Sequence, residues 1–183
     1  SLEKLRENPA YLDSLDRMQN QLTPVGFVLN GQTFNRRSKS RSFSYEPFLK
    51  TVGFNSVEGW NIRLAGTFEK KLTGRKSISI SPVLRYGFNN GHFNAFVTGN
   101  YRFGKTYVNE LSVSGGKRVI QFNNTNPIPQ LMNTFNTLIS GFNFMKIYET
   151  WFGKVQYTKG IGDGLTLEGG LLFQSRRPLN NTD

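Results

Sequence analysis

Stretch after stretch of this chain alternates apolar and polar residues for about ten positions, and the apolar side is almost free of charge. In β-structure successive side chains point to opposite faces, so each stretch describes a strand with two unlike sides. Trp60, Ile62, Leu64, Gly66 and Phe68 share one face, opposite Asn61, Arg63, Ala65, Thr67 and Glu69. Ile78, Ile80, Pro82, Leu84, Tyr86 and Phe88 alternate with Ser79, Ser81, Val83, Arg85 and Gly87. Phe93, Ala95, Val97, Gly99, Tyr101 and Phe103 then oppose Asn94, Phe96, Thr98, Asn100 and Arg102. Further on, Trp151, Gly153, Val155 and Tyr157 pair with Leu165, Leu167, Gly169, Leu171 and Phe173 across a glycine-rich turn at 160–164, the clearest hairpin in the chain.

A tilted strand of about 9–11 residues crosses a hydrocarbon layer, whereas an ordinary strand has about 5–6. The alternation therefore predicts an all-β fold: an antiparallel up-and-down transmembrane β-barrel, of which this chain is a portion. Expected to face lipid are Trp60, Ile62, Leu64, Phe68, Ile78, Ile80, Leu84, Tyr86, Phe88, Phe93, Val97, Tyr101, Phe103, Trp151, Val155, Tyr157, Leu165, Leu167, Leu171 and Phe173. Arg63, Glu69, Arg85, Arg102, Glu110, Lys154 and Glu168 are expected to face the lumen. Aromatics near the ends of the runs, Tyr107 among them, suit interfacial girdles. A soluble antiparallel sheet with one face on a core produces the same alternation.

Composition separates these readings little. The chain has 183 residues, no cysteine and a formal charge of +11. Its mean hydropathy is -0.45, ordinarily the mark of a soluble protein, but a barrel shows lipid only alternate residues. No run of apolar residues is long enough for a membrane-crossing helix. Lacking cysteine, the chain has no disulfide framework and no thiolate nucleophile. Sixteen Phe, seven Tyr and nineteen Gly suit a sheet that meets lipid and turns often. With the excess of Lys and Arg they also suit a stacking surface for single-stranded nucleic acid or another polyanion.

Outside the strands, residues 1–22 read as a helical segment, with Pro9 opening its main portion after Asn8. The remainder, 23–183, is the barrel portion. Val25, Phe27, Val28 and Leu29, ending at Asn30-Gly31, read as a strand or hairpin, and Arg36, Arg37, Lys39 and Arg41 as a solvated basic loop or a contact for anionic headgroups. Phe43, Tyr45, Pro47 and Leu49 make a weaker strand pushed by Pro47 toward an edge or a bulge. Another strand runs from Tyr107 through Leu111 and Val113, with a bulge expected near Gly115-Gly116. Leu131, Phe135, Leu138, Phe142 and Met145 recur at helical spacing after two prolines and predict a helical insertion over 127–147, its apolar stripe serving packing, a plug or a partner. The start at Ser1 without an apolar leader, and the end at 180–183 in a turn-like sequence, read as an excised portion of a longer barrel.

Chemistry for catalysis is missing. His92 is the single histidine and falls in a turn, so no hydrolase triad is expected. With no Cys and no calcium-loop spacing of carboxylates, no metal site is expected either. Gly115-Gly116-Lys117 lacks the spacing of a phosphate loop. No catalytic residue and no cofactor are predicted.

The motifs FNSVEGWN (54–61), SPVLRYGFNNGHFNA (81–95) and SGGKRVIQFNNTNPI (114–128) resemble a family of Bacteroidota outer-membrane proteins of unassigned function. ENPAYLDSLD (7–16), NFMKIYETWFGK (143–154) and GDGLTLEGGLLFQSRRPLNNT (162–182) are similar to the same family. Its members carry an N-terminal carboxypeptidase-like regulatory domain ahead of a C-terminal β-barrel. The resemblance implies an internal portion of that barrel, bacterial outer-membrane localisation, and lipid, lipopolysaccharide and other envelope proteins as partners. It implies no peptidase and transfers no transport site. The expected function is a structural, transport or assembly role without catalysis. The alternatives are the soluble polyanion-binding module and an envelope protein that docks a partner through 126–148. On the barrel reading Leu64→Arg or Leu84→Arg impairs assembly, whereas Arg63→Gln or Arg85→Gln is silent.

Overall fold

In the structure, a computed structural model, residues 8–162 and 164–180 are described. Nine strands form one antiparallel sheet: β1 (Gln32–Arg36), β2 (Arg41–Tyr45), β3 (Val52–Asn55), β4 (Gly59–Leu72), β5 (Lys76–Gly87), β6 (Phe93–Phe103), β7 (Asn109–Gln121), β8 (Ile147–Gly162) and β9 (Leu165–Pro178). The order is β1-β2-β4-β5-β6-β7-β8-β9, with β3 beside β4. β3 pairs with positions 59–62 of β4, and β2 with positions 66–70, so two short strands share one edge of a long one. All-β architecture and up-and-down order follow the sequence reading. A barrel is not confirmed: β1 and β9 are the edges of an open sheet, which is also the form that a portion of a larger barrel would take.

The strands predicted from alternation are long, from 11 residues in β6 to 16 in β8. Short turns join them, except between β7 and β8, where positions 122–146 include a helix. Gly74 and Gly91 sit at φ 73° and 64°, where a glycine avoids the strain a side chain would meet. Pro82 lies inside β5 and has no N–H to donate. The β4–β5 ladder is interrupted there, between Ala65↔Val83 and Phe68↔Ile80.

β7 is continuous from Asn109 to Gln121, and its register with β8 carries no bulge. The irregularity expected at Gly115-Gly116 falls on the other side: the β6–β7 ladder stops at Phe96↔Gly116. Gly116 has φ 135°, and a Cβ there would lie 2.3 Å from the Ala95 carbonyl oxygen. No other residue fits this close approach without moving the strands apart. Tyr107 lies in the preceding turn, outside the strand.

Three expectations for the first half change. Helix α1 spans Pro9–Gln19, shorter than 1–22, of which positions 1–7 lie outside the described residues. Pro9 does open it, and the Asn8 side chain accepts from Ala10 N at 3.0 Å. The apolar run ending at Asn30-Gly31 is a short π-helical turn, Gly26–Asn30, rather than a strand. Thr23 caps it by accepting from Gly26 N at 3.1 Å, and Gly31 at φ 71° ends it. Past Pro47 the chain enters a single helical turn, α2 (Phe48–Thr51), so Leu49 leaves the expected strand. Of the basic cluster, Arg37 is held against α1 by Asp16 at 2.9 Å.

The predicted insertion is helix α3 (Gln130–Ser140), half the expected length. Its orientation reverses the packing expectation. Asn133 and Thr137 are buried, while Leu131, Met132, Phe135, Leu138 and Ile139 are exposed. Met145 lies beyond the helix and belongs instead to a small apolar cluster with Val57 and Ile147.

That cluster is modest, and buried polar residues (Asn55, Glu58, Asn61, Asn94, Asn133 and Glu149 among them) outnumber buried apolar ones among the described residues. The accessible surface is 12503 Å², against about 9,000 Å² for a compact monomer of this mass. A single-layer sheet accounts for the excess, because neither face of most strands is covered.

Candidate functional site: two unlike faces and a basic cavity

Residues directly opposite in an antiparallel ladder lie on the same side of the sheet. The register carries one face from Leu64 to Leu84 and Ala95, and from Ile78 to Tyr101, Leu111 and Tyr157. Val155↔Leu171 extends it to β9. The twenty residues expected to face lipid thus form one surface, and most are exposed, from Ile62 at 37% to Leu171 at 80%. Its central band holds no charge. Lys70, Lys76 and Lys159 stand at one end of the strands, and Lys117, Glu149 and Arg177 at the other.

Aromatic rings line both margins of the band. Tyr86 and Phe88 meet edge-to-face at 5.1 Å, near Trp60, which packs on Phe54 at 5.3 Å. At the opposite margin Tyr101 stacks on Phe103 at 5.2 Å, and Phe103 on Tyr157 at 6.5 Å. Aliphatic side chains occupy the space between.

The other face carries Arg63, Glu69, Arg85, Arg102, Glu110, Lys154 and Glu168, all on one side by register. Arg102 pairs with Glu110 across β6 and β7 at 2.5 Å. Thr67 and Ser81 hydroxyls meet at 2.9 Å, and Asn100 donates to Ser79 at 3.2 Å. The uncharged band and the polar face therefore differ in charge, while two rings, Phe96 and Phe152, stand on the polar side beside Arg118.

At the end of the sheet nearest α3 the polar face becomes a buried network. Asn55 Oδ1 accepts from Glu58 N at 2.8 Å, and its Nδ2 donates to Glu58 Oε2 at 2.7 Å. This turn holds the Glu58 side chain, 1% exposed, against Arg85, whose Nε donates to Oε1 at 2.8 Å. Arg85 Nη1 reaches Gln130 Oε1 at 3.2 Å, and Gln130 Nε2 donates to Asn61 at 2.9 Å. Thr134 Oγ1 accepts from Phe54 N at 3.0 Å, so α3 seals the edge of β3 that β2 leaves free. The motif at 54–61 singled out in the sequence is this network, although no periodicity marked β3 as a strand.

A second cluster surrounds Glu149, which is buried and takes Lys117 Nζ at 2.9 Å, His92 Nδ1 at 2.9 Å and Asn94 Nδ2 at 3.1 Å. His92, read from sequence as a turn residue, thus has a carboxylate partner. Its surroundings supply no nucleophile, and among the described residues no three metal-ligating side chains converge.

Beside the Glu58 network lies a cavity of about 320 Å³ lined by Arg63, Arg85, Arg118, Gln121, Asn124 and Gln130, with Phe96 and Ile147 as apolar wall. Arg63 is ion-paired with Glu46. Arg118 packs its guanidinium over the Phe152 ring at 3.9 Å, and its Nε is buried without a partner. The sequence reading had placed Arg63 and Arg85 on this side and passed over Arg118, whose strand periodicity was hidden by the two glycines before it.

This architecture, a long-stranded antiparallel meander with one uncharged exposed face and one polar face, defines a two-faced β-sheet domain. Residues 26–183 match the model of the C-terminal domain of a family of unknown function, DUF5686, and the chain belongs to that family. No curated protein and no solved structure matches it.

Proposed function

We propose that the chain contributes strands to a bacterial outer-membrane β-barrel and has a structural, transport or assembly role there without catalysis. The carrying observation is the uncharged, exposed, aromatic-rimmed band that runs unbroken from β4 to β9. Exposed apolar patches on soluble monomers rarely exceed a few hundred Å², whereas a barrel presents an apolar band about 25 Å tall between aromatic girdles. The open edge of β9 supports the same reading: a 14-residue strand paired on one side only is costly in lipid unless another strand continues the sheet. The finer context implied by the motifs, a Bacteroidota envelope protein with an N-terminal carboxypeptidase-like regulatory domain, is part of this proposal.

The test is envelope fractionation of the protein expressed with its native flanks. Retention in the outer membrane after high-salt and carbonate washes is expected. Release into the soluble fraction overturns the assignment.

A further inference from the structure

We infer that the cavity between Arg63, Arg85 and Arg118 binds a small oxyanion, the carboxylate or phosphate group of a compact solute. Three arginines and three side-chain amides line it, and no carboxylate does. Arg63 and Arg85 stand directly opposite in the β4–β5 register, where like charges repel, and each is neutralised from outside the cavity, by Glu46 and Glu58. Arg118 has no carboxylate partner among the described residues, so the five charged groups leave one positive charge at the cavity wall. A half-buried guanidinium with an unpaired Nε is costly to keep. It becomes favourable when a planar anion accepts its fork of N–H groups.

Asn124 adds a further donor, Gln121 being held through both ends of its amide by the Ile128 backbone, while Phe96 and Ile147 provide an apolar surface for the carbon part of the solute. The volume, about 320 Å³, is at the lower end for small-molecule sites. Size and charge together favour a monovalent or divalent anion of a few carbons over a polymer. Phe152, beneath Arg118, holds the guanidinium plane in place without neutralising it. Every lining residue belongs to this chain, so the site does not rest on the membrane reading.

The test uses the full-length protein in a non-ionic detergent, a condition that a soluble protein tolerates as well. Thermal unfolding is followed while inorganic phosphate, and in parallel acetate, replaces chloride at constant ionic strength. ³¹P line width of inorganic phosphate gives a second readout. A saturable rise in Tm with either anion is expected, and the stronger of the two identifies the preferred oxyanion. R118Q should lower the apparent affinity at least tenfold without lowering the anion-free Tm, R118K should lower it less, and R102Q should leave it unchanged. If neither anion stabilises the wild-type protein beyond chloride and the phosphate line stays sharp, the site does not exist. A response of R118Q equal to that of wild type also overturns it.

Discussion

Leu84 and Arg85 are consecutive in β5, yet their surroundings have almost nothing in common. Leu84 is 43% exposed amid Leu64 and Ala95, with no polar group opposite it in the ladders. Arg85 is fixed by two bonds to a buried carboxylate and a third to Gln130. The same division repeats from β4 to β9. On the polar face most charged and amide side chains find partners, Arg118 Nε being an exception; on the apolar face nothing in the described chain covers the side chains. A water-soluble two-sided sheet would invert this, covering its apolar face and leaving the polar one to solvent. The contrast is the physical basis of the membrane proposal, and substitutions on the two faces test it.

The largest expected effect is at Arg85→Gln, which strands the Glu58 carboxylate, 1% exposed. Removing one partner of a buried pair costs about 3–5 kcal/mol, so urea unfolding of the full-length protein should shift strongly. The sequence reading expects this change to leave membrane assembly intact; the buried Glu58 partner adds an expected loss of stability. Leu84→Arg follows, at about 2–4 kcal/mol if the residue faces the bilayer midplane. The fraction that assembles into lipid vesicles measures it, and a cost no larger than that of a surface substitution would break the comparison.

Thr134→Val should cost about 1–3 kcal/mol, since Phe54 N loses its acceptor at the β3 edge. Amide exchange at Phe54 should accelerate in this variant while β8 and β9 stay protected. The smallest effect belongs to Arg102→Gln, whose partner Glu110 and own side chain are open to solvent, at 28% and 60%. Its ion pair is worth about 0–1 kcal/mol and should weaken with salt. A large, salt-insensitive loss there would mean that the polar face is drier than its exposure indicates.

The strands from Trp60 onward were legible because period-two alternation persists over many residues, and glycines such as Gly74 and Gly91 mark the turns between them. The charges of the polar face were legible for the same reason. What the sequence concealed depends on contacts between distant positions. β3 is four residues long and pairs only with positions 59–62, too short for a period to register. α3 has the helical stripe that the sequence showed, but which side of it packs is decided by Thr134 and Gln130 finding partners in the 54–61 motif and by Asn133 accepting from Phe144 N beyond the helix. Arg118 lay beyond Gly115-Gly116, where the ladder to β6 ends. The strand total of a whole barrel could not be read at all, since alternation gives strands and faces but no count of them.

The α3 seal also sets an order of events. From β4 to β7, and again from β8 to β9, each long-strand hairpin joins chain neighbours across a short loop and can zip onto the one before it. The bonds from Gln130 to Asn61, Thr134 to Phe54 and Asn143 to Ser56 instead reach back 69, 80 and 87 residues. Closing such spans carries the greater entropic cost. The edge of β3 therefore stays open while β4 to β7 are already paired, and the arrival of α3 is the last step to lock that end of the sheet.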